Sequence, residues 1–351
     1  MKLNTLQGKK VRNKTVLLRA DFNVPIEKET KNHSGSKVKI MDDSRIKDAL
    51  PTIKYLLRNN NKVIIVSHLG RPKGKNVKSL NLEPIAMQLS KLLKFKIQNS
   101  KLKIKLNKFP AYQISENLIL LENIRFYPGE EKNDKKFAKE LAELADIFVN
   151  DAFSVCHRAH ASVVGVTKYL PAYAGLDLTK EISALHRIIQ NPKRPLVCII
   201  GGAKVETKEP LIRNFLKFAD YILIGSKLGT EKIPNHSKKI ILPVNLKNNK
   251  DINNQTIDKY SKIIKKAKTI FWNGPMGQFE DKKYAAGTKK IAQVVTSSSA
   301  FSLVGGGDTI FALKEFGLIN KMSYVSEAGG ATLEYLAGKK LPGLSVIVSK
   351  K

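Results

Sequence analysis

Acid is what this chain lacks most. Its 351 residues hold 30 aspartates and glutamates against 62 lysines and arginines, a formal net charge of +32. Cysteine is nearly absent, with Cys156 and Cys198 alone, both in apolar, strand-like surroundings. That excludes a disulfide framework or a cysteine-built metal cluster and points to a reducing compartment. No apolar run approaches the ~18 residues of a membrane span, and the start MKLNTLQGKK leads into no signal-type stretch. A soluble cytoplasmic protein with no membrane partner is expected.

Arginine is scarce as well. Ten of the 62 basic residues are Arg, and none lies beyond Arg213, so lysine is the default surface cation. Lysine cannot copy the planar fork with which Arg grips a carboxylate or phosphate bidentately. Arg19, Arg45, Arg71, Arg125 and Arg158, all inside motif-like strings, are therefore candidates for that work. A net charge of this size also invites a nucleic-acid reading. Lysines crowd between Lys91 and Lys108, but they spread equally over nearly every expected helix, and no helix-turn-helix, zinc-finger or RNA-binding signature is present. No specific nucleic-acid partner is expected; a positive field also draws in anionic metabolites.

Hydrophobic residues make up 42% of the chain, enough at this length for two domains with separate cores. Short aliphatic runs alternate with longer amphipathic stretches. Strands are expected at Val16–Phe22, Val63–Ser67, Leu118–Glu122, Ile147–Asn150, Leu196–Ile200, Tyr221–Ile224, Ile240–Val244, Thr269–Trp272, Phe301–Val304 and Met322–Val325. Helices are expected between them, among them Arg45–Leu57, Leu82–Leu93, Asp134–Ala145, Leu178–Ile189 and Ile257–Lys266. Continuous apolar strands argue for burial on both faces. The fold class is α/β: two domains, each with a parallel sheet covered by helices, joined by a hinge helix. The small-residue turn Ala172–Gly175 and the breaker cluster Asn191–Pro195 bracket the boundary, giving domains 1–175 and 176–338. Asn245–Gln255 reads as a solvated loop.

The densest chemistry lies between Val16 and Arg71, where VLLRADFNVPI, DDSRI and SHLGRPKG set Asp21, Asn23, Arg45, His68 and Arg71 beside apolar runs. Strand ends decorated this way suit a small ligand carrying carboxylate and phosphate. Three glycine-rich strand-to-loop junctions follow. IIGGAKVETK places Lys204 and Lys208 where two amines could meet a polyphosphate, and LVGGGDT runs from a strand into a helix whose first N–H groups make an anion site. Asp308 in that turn could hold Mg2+ beside the phosphates. SEAGGAT (Ser326–Thr332) is the third, and FWNGPMGQFE adds a rigid turn able to line a base or ribose pocket. None of these junctions matches a P-loop or a Rossmann fingerprint.

Taken together, RADFNVP, SHLGRPKG, LLENIRFYPGEE, VNDAFSVCHRAHAS, GGAKVETK, FWNGPMGQFE, GGGDT and LPGL resemble phosphoglycerate kinase, in that family's order, from about Thr15 to Leu344. The resemblance implies a two-domain enzyme passing a phosphoryl group between 1,3-bisphosphoglycerate and ADP, reversibly giving 3-phosphoglycerate and ATP with Mg2+. It implies Asp21, Asn23, Arg45, His68, Arg71, Arg125 and Arg158 on the phosphoglycerate side. On the nucleotide side it implies Gly202, Lys204, Lys208, Asn273, Pro275, Glu280 and the turn Gly305, Gly306, Gly307, Asp308 and Thr309, with Asp308 toward the metal. Arg45 and Lys204 would stabilise the transferring group, with no enzyme nucleophile required. A monomer is expected, with residues 339–351 packing back on the first domain.

The chain departs from the family at three places. Thr207 replaces an Asp between the two lysines, Glu327 and Ala328 replace Thr and Gly in the last glycine loop, and Gly225–Lys268 is shortened where much of the adenine pocket ordinarily lies. A degenerate homologue that binds phosphoglycerate but transfers poorly is the alternative these departures raise.

Overall fold

The computed structural model describes residues 3–7, 11–29, 37–95, 103–202, 205–230 and 237–349. The chain divides into two units, Met1–Lys180 with Leu341–Lys351, and Glu181–Lys340. Helix Leu176–Ile189 runs through the boundary.

The first unit is built on a seven-stranded sheet in the order Lys103–Leu106, Phe109–Ser115, Leu118–Leu121, Lys62–Val66, Thr15–Arg19, Ile147–Asn150, Ala172–Ala174. Side chains alternate across it with period two. Val16, Leu18, Val63 and Ile65 face one cluster with Ile46, Ile53 and Leu56 of helix Ser44–Arg58. Leu17, Ile64 and Phe148 face the other, with Phe137 and Leu141 of helix Lys135–Ala142. Each of those helices spaces its apolar residues at three and four, and Asp134 caps the second by accepting from Phe137 N at 2.8 Å. The tail returns to this unit: Gly343 N donates to Cys156 O at 2.9 Å, and Asn4 N donates to Ile347 O at 2.9 Å.

The expected parallel core is present, and an unforeseen antiparallel hairpin extends it at one edge. Lys103–Leu106 and Phe109–Ser115 run antiparallel, as do Phe109–Ser115 and Leu118–Leu121. Connections of two residues, Asn107–Lys108 and Glu116–Asn117, are too short for a parallel crossover. The lysine-rich run 91–108 hid this edge: Lys103 and Lys105 are exposed and alternate with half-buried Ile104 and Leu106. Lysines on an edge strand also discourage pairing with another chain.

The second unit carries a fully parallel six-stranded sheet, in the order Ile240–Ile241, Tyr221–Ile224, Leu196–Ile200, Thr269–Asn273, Phe301–Gly305, Tyr324–Ser326. Val197, Ile199, Ile270, Trp272 and Val304 pack with Tyr260, Ile264, Ile291 and Val295, while Phe271 meets Phe215 on the opposite face at 5.2 Å between rings. Strand order reverses between Leu196–Ile200 and Thr269–Asn273, which opens a crevice at their C-terminal ends. Asn245–Gln255 is not a plain solvated loop. It forms the hairpin Leu246–Lys247 with Asp251–Ile252 and starts helix Asn254–Ile264, and the buried Asp251 accepts from Gly287 N at 2.9 Å. Its polar composition serves caps and turns rather than solvent.

One buried carboxylate sits at the start of the helix that crosses the boundary. Asp151 Oδ1 accepts from Asp177 N at 3.0 Å and Leu178 N at 3.1 Å. Burial pushes its carboxyl up to about 6, against the hydrogen bonds favouring the ionised form. The folded chain thus holds this proton more tightly than the unfolded chain, and the group costs stability increasingly as pH rises from about 4 to about 6. Asp151→Asn keeps the acceptor and removes the charge. Thermal unfolding should show the variant more stable than wild type by about 1–3 kcal/mol at pH 8, with the gain vanishing near pH 4. An equal effect at both pH values would show that ionisation is not what Asp151 contributes.

Candidate active site

In the first unit, strands Thr15–Arg19, Lys62–Val66 and Ile147–Asn150 end level, Arg19 pairing in register with both Val66 and Asn150. The segments that follow them leave the sheet at one edge. Ser67 Oγ fastens two of these segments, accepting from Phe22 N at 2.9 Å and donating to Ala20 O at 2.9 Å. Asp21 Oδ2 receives Arg45 Nη1 and Ser154 Oγ, each at 2.5 Å, while its Oδ1 accepts from Asn23 N at 3.1 Å. Asn23 Oδ1 in turn accepts from Gly70 N at 2.8 Å. Asp21 and Asn23 are therefore bound up in shaping the loop and in holding the Arg45 fork.

Arg125 is buried and donates through Nη1 to Gly70 O at 2.8 Å, with Nε 3.5 Å from Glu131. Burial lowers its pKa to about 10, assisted by the neighbouring charges of Arg19 and Arg158. His68 is held well below the ordinary histidine range by burial and then by Arg19, Arg125 and Arg45, so it is neutral at pH 7. Arg45, His68, Arg125 and Arg158 thus form one electrostatic neighbourhood. Arg71 is exposed.

Glu130, Ser162 and Asn123 were not among the sequence-derived candidates, whereas Arg19 was one, as an Arg kept within a motif-like string. Arg19 is fully buried and meets His68, while Glu130 and Ser162 stand behind it. Glu130 sits in the string LLENIRFYPGEE, but nothing in that string says which of its acids points inward. Asn123 also braces the loops, donating to Leu69 O at 2.8 Å and Leu80 O at 2.9 Å.

In the second unit, Ile200, Asn273, Gly305 and Ser326 stand in register at the C-terminal edge of the sheet. Asn273 ties the following loops together: its amide donates to Gly305 O at 2.6 Å, and its carbonyl accepts from Lys208 Nζ. Burial lowers the Lys208 pKa, opposed by the charge of Asp308. Gly201 lies so close to the opposing turn that a Cβ would sit 2.0 Å from Pro275 O. Gly306 has φ +97°, and a Cβ there would fall 2.5 Å from Asn273 Nδ2. Gly307 opens helix Gly307–Glu315 with no neighbour within 4 Å of a built Cβ, leaving room over the helix's first N–H groups. Asp308 is exposed in that first turn, and Thr309 is buried, accepting from Gly274 N at 2.7 Å. Beside this turn is a cavity of about 560 Å³ reached by Gly202, Pro275, Glu280 and Asp308 and walled further by Asn248 and Asn249. Lys204 lies outside the described residues.

Glu327 follows Ser326 at the same edge, where a carboxylate would repel phosphate. It leans 3.9 Å from Lys314 Nζ, on helix Gly307–Glu315. The adjoining Ser326 is engaged by Glu181 Oε1 at 2.5 Å and by Thr332 Oγ1 at 2.5 Å.

Comparison with known proteins agrees with this geometry. The family model described as phosphoglycerate kinase matches residues 6–231 and 230–339, in two pieces that meet inside the shortened stretch. The phosphoglycerate kinase of Coprothermobacter proteolyticus is 39% identical over 402 aligned positions, covering 99% of both chains. That of Dictyoglomus turgidum is 41% identical over 400, covering 98% of each. Both alignments exceed the 351 residues present, so these relatives carry segments that this chain lacks. Among solved structures, phosphoglycerate kinase from Coxiella burnetii superposes with a TM-score of 0.83 at 36% identity, covering 98% of each chain. The enzyme from Pyrococcus horikoshii gives 0.77 at 29% identity with the same coverage. Matched along nearly its whole length by sequence and by fold, the chain belongs to the phosphoglycerate kinase family.

Proposed function

We infer that this chain is a phosphoglycerate kinase, moving a phosphoryl group between 1,3-bisphosphoglycerate and ADP and reversibly yielding 3-phosphoglycerate and ATP. The observation that carries this reading is a pair of anion sites of different character, one in each unit. The first is a set of Arg forks around a neutral histidine, suited to a small acid carrying phosphate. The second is a glycine turn at a helix start beside the half-buried Lys208, suited to a polyphosphate. Phosphoryl transfer asks the protein mainly to position and to neutralise, which these groups can do without a nucleophile.

On this reading Asp21 anchors Arg45, and the Arg45 fork supplies charge to the transferring group. His68, Arg71, Arg125 and Arg158 hold the phosphoglycerate, and Asn23 keeps the Gly70 loop in place. Lys208, Asn273 and Gly305–Thr309 receive the nucleotide phosphates, Gly202, Pro275 and Glu280 face the rest of the nucleotide, and Lys204 assists transfer. Asp308 fits Mg2+: an exposed carboxylate in the turn that would cradle the phosphates suits an ion that binds through one or two carboxylates plus phosphate oxygens. No group of three or more potential ligands occurs among the described residues, as befits a metal arriving with its nucleotide. When bound, Mg2+ would neutralise phosphate charge. Among the described residues no helix is long and apolar enough to cross a membrane. A soluble, cytoplasmic monomer without specific nucleic-acid contacts completes the proposal.

A coupled assay of turnover dependent on ATP and 3-phosphoglycerate tests the whole; binding of 3-phosphoglycerate without turnover would instead mark a degenerate homologue. Arg45→Lys should lower kcat by at least about tenfold while the protein stays folded, and an unchanged kcat would remove Arg45 from the mechanism. Asp308→Asn should weaken apparent Mg·ATP affinity by about five- to tenfold and spare 3-phosphoglycerate, whereas equal loss of both would mean a structural role. The described walls of the nucleotide cavity include the exposed Lys227, Asn248, Asn249, Lys250 and Gln278, and the shortened stretch Gly225–Lys268 leaves fewer residues to enclose a base. GTP and ITP should therefore replace ATP with kcat/KM within roughly tenfold, about 1.4 kcal/mol. A preference for ATP above about a hundredfold would show that a selective adenine pocket exists after all.

A further inference from the structure

Behind the phosphoglycerate-side residues lies a buried polar chain that touches no expected ligand. Glu130 is fully buried; its Oε1 accepts from Ser162 Oγ at 2.6 Å and its Oε2 from Ser162 N at 2.9 Å. Because the Ser162 hydroxyl gives its proton to Glu130, its oxygen is left to accept, and Arg19 Nε donates to it at 3.0 Å. Arg19 Nη1 donates to Ala20 O at 2.5 Å, and Nη2 lies 3.1 Å from His68 Nδ1. All three members of this chain are 0% exposed, and His68 is 4% exposed.

The direction of the last contact follows from chemistry. A guanidinium has five N–H donors and no acceptor, so His68 Nδ1 can only be the acceptor and must be unprotonated. The ring's proton then stands on Nε2. A second proton on Nδ1 would face Arg19 directly, within a neighbourhood that already holds Arg45, Arg125 and His160.

We propose that Glu130, Ser162 and Arg19 form a buried positioning relay that fixes His68 as the neutral tautomer with its proton on Nε2, so that the acidic substrate meets an oriented N–H donor. The division of labour is physical. Several arginines already supply attraction, which is long-ranged and weakly directional, whereas a neutral N–H of fixed orientation adds direction without more self-repulsion among cations. Glu130 supplies negative charge from behind, where it steadies Arg19 while buried away from the incoming anion. Its carboxyl is held below the ordinary range, with His160, Arg19 and Ser162 favouring the ionised form against the opposing effect of burial. His160 Nδ1 lies 3.6 Å from Glu130 Oε1, beyond hydrogen-bonding reach, so the direct hydrogen bonds of the relay run through Ser162.

This proposal rests on the reading of His68 as a substrate contact, and one experiment separates the two. The full chain, labelled with 15N-histidine, has six histidines, and His68→Gln identifies the signal of interest by its loss. In the ligand-free protein the His68 ring should show a protonated Nε2 and an unprotonated Nδ1 from pH 8 to below pH 6. Arg19→Met, which removes every donor, should convert this to a mixture of tautomers and bring the ring's titration into the ordinary histidine range. Should Arg19→Met fail to fold, Ser162→Ala cuts the relay while leaving both charges. That variant should mix the tautomers and raise KM for 3-phosphoglycerate about fivefold, with kcat within about twofold of wild type. A proton on Nδ1 or a cationic ring at pH 7 in the wild type overturns the proposal, as does an unchanged tautomer in the folded variants. Added 3-phosphoglycerate should shift the Nε2 signals; no shift would remove His68 from the substrate site and leave the tautomer assignment standing.

Discussion

Parallel strand pairing that stops at a common level is the constraint on which the chemistry of this chain depends. Arg19 stands opposite Val66 and Asn150, and Ile200 and Gly305 stand on either side of Asn273 in continuous register. Whatever follows those residues must leave its sheet at the same edge. Segments far apart in sequence, such as those beginning at Ala20, Ser67 and Asp151, are thereby delivered to one place. Because the strands are buried on both faces, their register is fixed by packing, and the loops inherit that precision. A shift of one residue in Thr15–Arg19 would turn Leu17 and Leu18 toward the wrong clusters and move Asp21 and Asn23 with them.

On the proposed reading, the two sites meet the same problem, holding phosphate, with opposite materials. In the first unit the donors are side chains, and cations crowded together must be paid for by carboxylates that are wholly or partly buried. Glu130 and Asp21 do this from positions that hydrogen bonds fix. In the second unit the donors include main-chain N–H groups, so the requirement is room. Gly201 allows a backbone, and Gly306 the Asn273 amide, to approach closer than any Cβ would permit, and Asn273 reaches across to Gly305 O. Lys208, a phosphate contact on the proposed reading, donates to a neutral amide rather than to a carboxylate. No hydrogen-bonded carboxylate offsets its charge, and Asp308 acts on it only through space.

Much of the fold could be read from the sequence because buried parallel strands are continuous apolar runs, and all ten expected strands occur, with ends shifted by a few residues. The edge hairpin Lys103–Ser115 escaped because its lysines follow the solvent side of a half-exposed strand and resemble a charged stretch without structure. Asn245–Gln255 escaped for a related reason: asparagines that cap and turn look the same in sequence as asparagines in water. In the sites, residues at strand ends were legible, since polar groups directly after apolar runs stand out. Glu130, Ser162 and Asn123 were not, because their importance comes from what they touch across the fold. Ser162 lies 143 positions from Arg19, a distance no local pattern spans.

The shortened stretch shows how a fold tolerates the loss of a segment near its site. The family match breaks at residues 230–231, just after the strand Tyr221–Ile224 and the short helix Ser226–Thr230. What must survive there is the end of that strand, since its carbonyls would otherwise be buried without partners. Tyr260 meets this need: fully buried, its hydroxyl lies 2.8 Å from both Ile224 O and Ile241 O, joining the helix Asn254–Ile264 to one strand on each side of the break. Asp251 anchors the following hairpin through Gly287 N. Neither contact involves Asn273, Gly305 or Asp308, so the phosphate-side geometry is set by strands that the shortening leaves alone. On the proposed reading, the wall facing the base comes instead from the segments beside the break, Lys227 before it and Asn248 to Lys250 after it. On that reading, reduction of this lobe bears on which nucleotide is chosen before it bears on how its phosphates are held.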